Sequence, residues 1–356
     1  MKKLVTIIIA VIICAQSAAA LENMDKDFKI FQFPRTMIPS IDGDTSDWDI
    51  VGDEYVYDTT LLHNTSREEV KYNPEDLDIK VRVGWVKGLN RLYFLYEAWD
   101  DCWDYMGDES DIFEIVVDAD LSGGPFTVHT HPETDWMDKT KLYKTFHGVH
   151  AQNYHFNVPP GGKHWAFVWG GNDWISYFPY ANWAYDYNVK HLESGRIVLE
   201  FYITCYDYAA SDGPARAVES KLEESELIGL GWAVLEHDGN NKRDSHWTLA
   251  PIGNMTSNAS YFCPFRLMPL EDKYIKTLEA AWRFSIIDES RRVVAFVDES
   301  VGKIDSWEWD FDDGTTSTEQ HPIHTFERAG IYNVSLVVTG PAGKERHLKF
   351  EGLAVR

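Results

Sequence analysis

Cysteine, cationic side chains and long apolar runs are all scarce in this chain. Four of its 356 residues are Cys. No CxxC pair and no Cys/His zinc spacing occurs, so nothing points to a zinc module. Lys and Arg number 33 against 57 Asp and Glu, a formal net charge of −24. A chain that acidic is ill suited to phosphate backbones or anionic membranes, so neither nucleic acid nor a membrane surface is an expected partner. Beyond residue 20 no stretch approaches the ~18 apolar residues of a spanning helix. A serine nucleophile elbow, a Walker loop and an HExxH helix are missing as well. No internal repeat or low-complexity linker interrupts the chain.

What is present begins with a leader. Lys2 and Lys3, the apolar run Leu4 to Ala15 and the small residues Ser17-Ala18-Ala19-Ala20 read as a signal peptide over 1–20. Its removal takes away two lysines and no acid. The expected destination is secreted, periplasmic or cell-surface. Cys102, Cys205 and Cys263 then remain, an odd number in an oxidising compartment. One disulfide with one free thiol, or three buried thiols, both satisfy that count.

Aromatic residues are abundant: 14 Trp, 18 Tyr and 18 Phe, or 14% of the chain. Rings suit half-buried pleated surfaces, and the strand patterns agree. Ile79, Val81, Val83 and Trp85 alternate with polar or small residues, Gly88-Leu89-Asn90 makes a turn, and Leu92 to Trp99 returns. Ile112 to Val117 is an almost continuous apolar run, Ile197 to Ile203 alternates, and Gly229 to Leu235 is a further strand. Helix signals are confined to Ala215 to Leu227 and the ambiguous Tyr274 to Trp282. Residues 21–275 therefore read as an antiparallel β-sandwich. The aromatic stretch at about 121–195 is longer than such a sandwich requires and reads as an insertion. The tail, 284–356, reads as a second, immunoglobulin-like β-sandwich, giving an all-β chain.

In that tail, Trp309-Asp310-Phe311-Asp312-Asp313-Gly314, His321-Pro322-Ile323-His324-Thr325-Phe326 and Gly330-Ile331-Tyr332-Asn333-Val334 resemble, in order and spacing, the motifs of PKD domains. Asp312 stands where that family usually has Gly. Asp tolerates left-handed backbone better than most residues. The resemblance implies a spacer or protein-contact module, with Trp309 and Phe311 in its core. Upstream, Ile41-Asp42-Gly43 with Trp48, Arg91 to Asp101, Asp111 to Asp120, and Gly229-Leu230-Gly231-Trp232 through Trp247 resemble family 9 carbohydrate-binding modules. That likeness implies a sandwich that recognises a glycan or polysaccharide without cleaving it, often with structural calcium.

Residue chemistry offers sites for such binding. A sugar ring presents a C–H face to a flat aromatic ring and hydroxyls to polar edge groups. Ten aromatics fall between Trp165 and Tyr187. Trp165, Trp169, Trp174, Tyr177 and Trp183 are candidate platforms there, with His155 as an edge group. Trp99 and Trp103 form a second candidate. Ordinary packing accounts for either set equally well. Calcium takes six to eight oxygens. Asp100, Asp101, Asp104, Asp108 and Glu109, with Asp118 and Asp120, form one oxygen-rich group, and Asp238 and Asp244 another. His129 and His131 share a face if extended. Glu114, Asp118, Glu200 and Glu236 leave open a polysaccharide-active enzyme working through two carboxylates, its site in the 121–195 segment. A cell-surface adhesion or scaffold protein is the remaining alternative.

Overall fold

The computed structural model describes residues 21, 27–106, 110–126, 137–239, 245–253, 255–275, 277–349 and 353–355. The chain divides into two units, Met1–Leu270 and Glu271–Arg356. Both are built of strands.

Alternation of apolar and polar residues sets the strands of the first unit. Those that build its two main sheets include β1 (Phe28–Gln32), β2 (Leu77–Trp85), β3 (Arg91–Asp100), β4 (Ile112–Asp118), β5 (Gln152–Asn157), β6 (Ala166–Val168), β7 (Ala181–Tyr187), β8 (Gly195–Thr204), β9 (Leu227–Glu236), β10 (Ser245–Thr248) and β11 (Cys263–Leu267). One sheet runs β6-β5-β4-β9-β11, with β10 also on β9, and the other runs β2-β3-β8-β7. Strand β1 joins them. Its first residues pair with β11 (Phe28 opposite Phe265) and its last with β2 (Phe31 opposite Gly84), parallel in both cases. Every residue of β4 is buried, as its near-continuous apolar run requires of a central strand.

Stacked rings fill the space between the sheets. Phe94 lies 4.8 Å from Phe201, Phe156 4.8 Å from Trp165, and Trp165 4.6 Å from Trp183. Each such ring taken from water stabilises the fold by roughly 1.5–3 kcal/mol. Residues 121–195 are therefore not an addition to the sandwich. They supply β5 and β6 to one sheet and β7 to the edge of the other, and many of their rings close the core at that edge. They also carry the one α-helix among the described residues, α1 (Lys139–Phe146), started by the Asp138 side chain, which accepts from the N–H groups of Thr140 and Lys141.

Two expected helices do not form. Residues 215–227 hold the short turn Pro214–Arg216, the strand Val218–Glu219 and the first residue of β9. Residues 274–282 run into the strands Leu278–Glu279 and Trp282–Asp288. In both places tertiary pairing outweighs a weak helical pattern. Consequently the second unit begins before residue 284: Leu278, Ala280 and Trp282 belong to its core, beside Trp309, Phe311, Phe326 and Leu336. Within it Asp312 takes φ +62, the left-handed backbone expected of it. The Tyr332 hydroxyl donates to the Arg328 carbonyl at 2.8 Å, closing the kind of tyrosine corner found in immunoglobulin-like sandwiches. Cys102, Cys205 and Cys263 are all free thiols, the latter two buried.

Candidate functional site

On β4 the side chain of Glu114 points away from the core, because strand side chains alternate and Phe113 and Ile115 point inward. Opposite it on β5 stands His155, and opposite His155 on β6 stands Phe167. This row crosses the outer face of the first sheet. Glu114 is 2% exposed, yet ionised. Burial raises its pKa, but the charge of His155 and hydrogen bonds from His155 and Asn153 outweigh burial and hold it below the usual glutamate range. The Asn153 amide donates to Glu114 Oε1 at 2.7 Å, and His155 Nε2 lies 2.9 Å from the same oxygen.

Trp169 follows β6 and is 49% exposed. Its indole nitrogen lies 3.1 Å from His155 Nε2 and its ring meets the imidazole edge-on at 5.9 Å, so Trp169 packs directly against the buried pair. The next residue, Gly170, takes φ +130, and a Cβ there would sit 2.4 Å from the His147 carbonyl. Only glycine lets the chain pass that close to the end of α1. Across from Trp169, Tyr143 on α1 stacks on His147 with ring centres 4.3 Å apart. Between the helix and β6 lies a groove of about 410 Å³, lined by Lys139, Thr140, Tyr143, Lys144 and Trp169 among others. That falls within the range of roughly 300–1,000 Å³ typical of small-molecule sites.

The other sequence-derived platform residues part company. Trp103 and Trp165 are core, each at most 2% exposed, with indole N–H groups donating to the Gly195 and Ser176 carbonyls. Trp174 is half-buried, donates to Ala210 O at 2.7 Å and packs edge-on to Tyr180 and Tyr206. Trp103 and Trp165 are corrected from ligand platform to packing, since burial leaves no ring face for a ligand, whereas Trp174 is anchored by its backbone hydrogen bond and edge contacts and keeps part of its surface exposed. Trp183 covers Trp165 at the sandwich edge. Beside it Tyr177, 47% exposed, stacks on His164. Trp99 lies on the outer face of the other sheet, between Asp78 and Arg196, so it shares no platform with Trp103. His155 sits beneath Trp169, where it orients the ring. His129 and His131 lie outside the described residues.

The acidic residues also regroup. Carboxylate oxygens of Asp100, Asp101 and Asp238 lie within 4.8 Å of one another. Asp104 follows on the same loop, and its N–H donates to Asp111 Oδ2 at 2.6 Å. Asp111 and Glu236, at the start of β4 and the end of β9, were not foreseen here. Only a sheet that sets the two ends side by side reveals them. Asp118 and Asp120 lie at the far end of β4, roughly 20 Å away at ~3.3 Å per residue, so they do not join Asp100. Asp118 instead accepts from the N–H groups of Ser122 and Gly123. Asp108, Glu109 and Asp244 lie outside the described residues.

Do the regrouped acids suit a hard cation? Asp100, Asp104, Asp111 and Glu236 are each at most 5% exposed. Among the described residues none pairs with Lys or Arg; the imidazoles of His191 and His237 lie 3.6 and 3.8 Å from Asp104 and Asp111. Burial and then the charge of Asp111 push Asp100 up to about 9, and burial and then Asp76 push Glu236 up to about 7. Oε1 of Glu236 is buried with no hydrogen-bond partner. Clustered buried carboxylates lacking a cation fit a divalent ion with oxygen preference.

The carboxylates weighed as a hydrolytic pair are each held in the fold. Glu200 accepts from the Trp48 indole at 2.8 Å and from the N–H groups of Asp42 and Gly43 at 3.1 Å. The Ile41-Asp42-Gly43…Trp48 motif is thus a clasp on β8. Glu236 accepts from the Trp247 indole.

Residues 276–352 match the family model of the PKD domain. Curated relatives include collagenases ColQ1 and ColA of Bacillus cereus, 57% and 50% identical over 44 residues; these matches cover 12% of this chain and 5% of each collagenase. Among solved structures, a family 9 carbohydrate-binding module from Caldicellulosiruptor kristjanssonii in complex with cellotriose is 15% identical. It covers 70% of this chain and 98% of its own, with a TM-score of 0.43. The PKD1 domain of the Vibrio cholerae metalloprotease PrtV is 29% identical over 21% of this chain and 93% of its own, with a TM-score of 0.19.

Proposed function

We propose that the protein binds an extracellular carbohydrate without cleaving it, in the groove between α1 and β6. The observation that carries this reading is Trp169: a half-exposed indole beside a groove of sugar dimensions, its ring packed edge-on against His155, which Glu114 holds from below. A ring fixed before the ligand arrives loses little entropy on stacking, which favours affinity. Tyr143 supplies a second ring and Thr140 a hydroxyl. Asp100, Asp101 and Asp238, with Asp104, Asp111 and Glu236, would hold a calcium ion, which would supply the positive charge that orders the ends of β3, β4 and β9. The leader carries the protein out of the cytoplasm, and the second unit acts as spacer or protein contact.

Incubation with a polysaccharide panel, scoring retention and new reducing ends, tests this reading. Retention without cleavage is expected, with Trp169→Ala weakening it by about 30-fold, the loss typical of truncating a binding hot spot. Release of reducing ends, or full retention by Trp169→Ala, would sink it.

A further inference from the structure

The groove's charge is opposite to that of the chain around it. Acids outnumber cations 57 to 33 overall, yet the described groove wall holds Lys139 and Lys144 and neither Asp nor Glu. Both lysines stand on α1, exposed, on either side of Tyr143. Neither forms an ion pair among the described residues, whereas Lys87, Lys190, Lys273 and Lys344 all pair with acids. Two carboxylates on these elements are already engaged: Asp138 caps the helix through Thr140 and Lys141, and Glu114 lies buried under His155. Two unpaired cations flanking an aromatic wall form a local positive field in an otherwise repulsive surface.

We infer that the groove selects a sugar carrying an anionic substituent, a carboxylate or a sulfate ester, with the ring stacked on Trp169 and the anion met by Lys139 and Lys144. This rests on the binding site proposed above and names its ligand class. Lysine is a compact point charge rather than a planar fork, so these residues read charge and leave the shape of the anion unspecified. A net-negative protein repels polyanions at long range. Selectivity therefore appears as a salt-sensitive preference for short acidic oligosaccharides.

Calorimetric titration of the full chain tests this with matched pairs. Oligogalacturonate is set against its methyl ester, and a sulfated dextran oligosaccharide against unsulfated dextran. The acidic member of at least one pair is expected to bind roughly tenfold tighter at low salt, with the gap closing near 1 M salt as the screening length shrinks. Which pair shows the gap separates carboxylate from sulfate. In Lys139→Gln/Lys144→Gln the acidic-to-neutral ratio should fall to near one. Equal binding of acidic and neutral members, still lost in Trp169→Ala, overturns the charge inference and leaves the carbohydrate site standing. Binding of no member, or binding indifferent to Trp169→Ala, overturns both. Circular dichroism on each variant identifies any that fails to fold, and Lys144→Gln alone then repeats the ratio.

Discussion

Glu114 fixes His155, and His155 seats the Trp169 ring from below by edge-on contact. Removing Glu114 leaves the Asn153 amide and His155 facing each other without their shared acceptor. Glu114→Ala should therefore cost about 3 kcal/mol, the scale for breaking a buried charged contact, measured by urea denaturation. Trp169→Ala removes a half-exposed ring and should cost well under half of that. Equal losses would mean that Glu114 is not the anchor. His147, at the end of α1, gives a pH signature. It is buried, and Nε2 has no hydrogen-bond partner. Burial, then the charge of His155, lowers its pKa to about 4 from the usual 6.5. The unfolded chain thus binds this proton first, so the contribution is intact above pH ~6.5 and lost as pH falls toward ~4. Its full size is about 3 kcal/mol. In His147→Gln the fall in stability across that window should shrink, as followed by denaturation at stepped pH. An unchanged pH profile would exclude His147 as its source.

At the scale of elements, the ends of β3, β4 and β9 bring together acids that repel one another. Calcium should raise the melting temperature, and a chelator should lower it, in differential scanning fluorimetry. Asp111→Asn should weaken the calcium response, whereas Asp118→Asn, at the other end of β4, should leave it in place. A response abolished by Asp118→Asn and kept by Asp111→Asn would put the ion at the wrong end. The β2–β3 hairpin and the strands β4, β8 and β9 were legible in sequence because their alternation or apolar continuity is strong. The strands β5, β6 and β7 were hidden. In that stretch rings, glycines and prolines are mixed, and what makes each segment a strand is the partner it pairs with. Trp165 and Trp169 carry the same side chain four residues apart. One is core and the other half-exposed, because the neighbouring sheet covers only the first.

At the scale of the whole molecule, two separate cores imply two separate stabilities. Trp309 is fully buried in the smaller core. Trp309→Ala should cost about 3–5 kcal/mol there, lowering one calorimetric transition of the full chain while leaving the other and glycan retention unchanged. A single transition that moves as a whole would show the units to be one cooperative block. The motif around Trp309 was readable in advance because turn chemistry and core alternation coincide within a few residues. The groove was not, since its walls come from a helix that no periodicity announced and a strand too short to register.

Sequence by itself determined the all-β class, the position of the second unit's motifs and the excess of acid, because these depend on local periodicity, turn residues and a sum of charges. Tertiary structure alone decided which rings are core and which are surface. It also split the acids between two ends of one strand and set Lys139 and Lys144 beside Trp169. Burial, charge clustering and groove shape depend on which distant segments meet, and a linear pattern does not carry that.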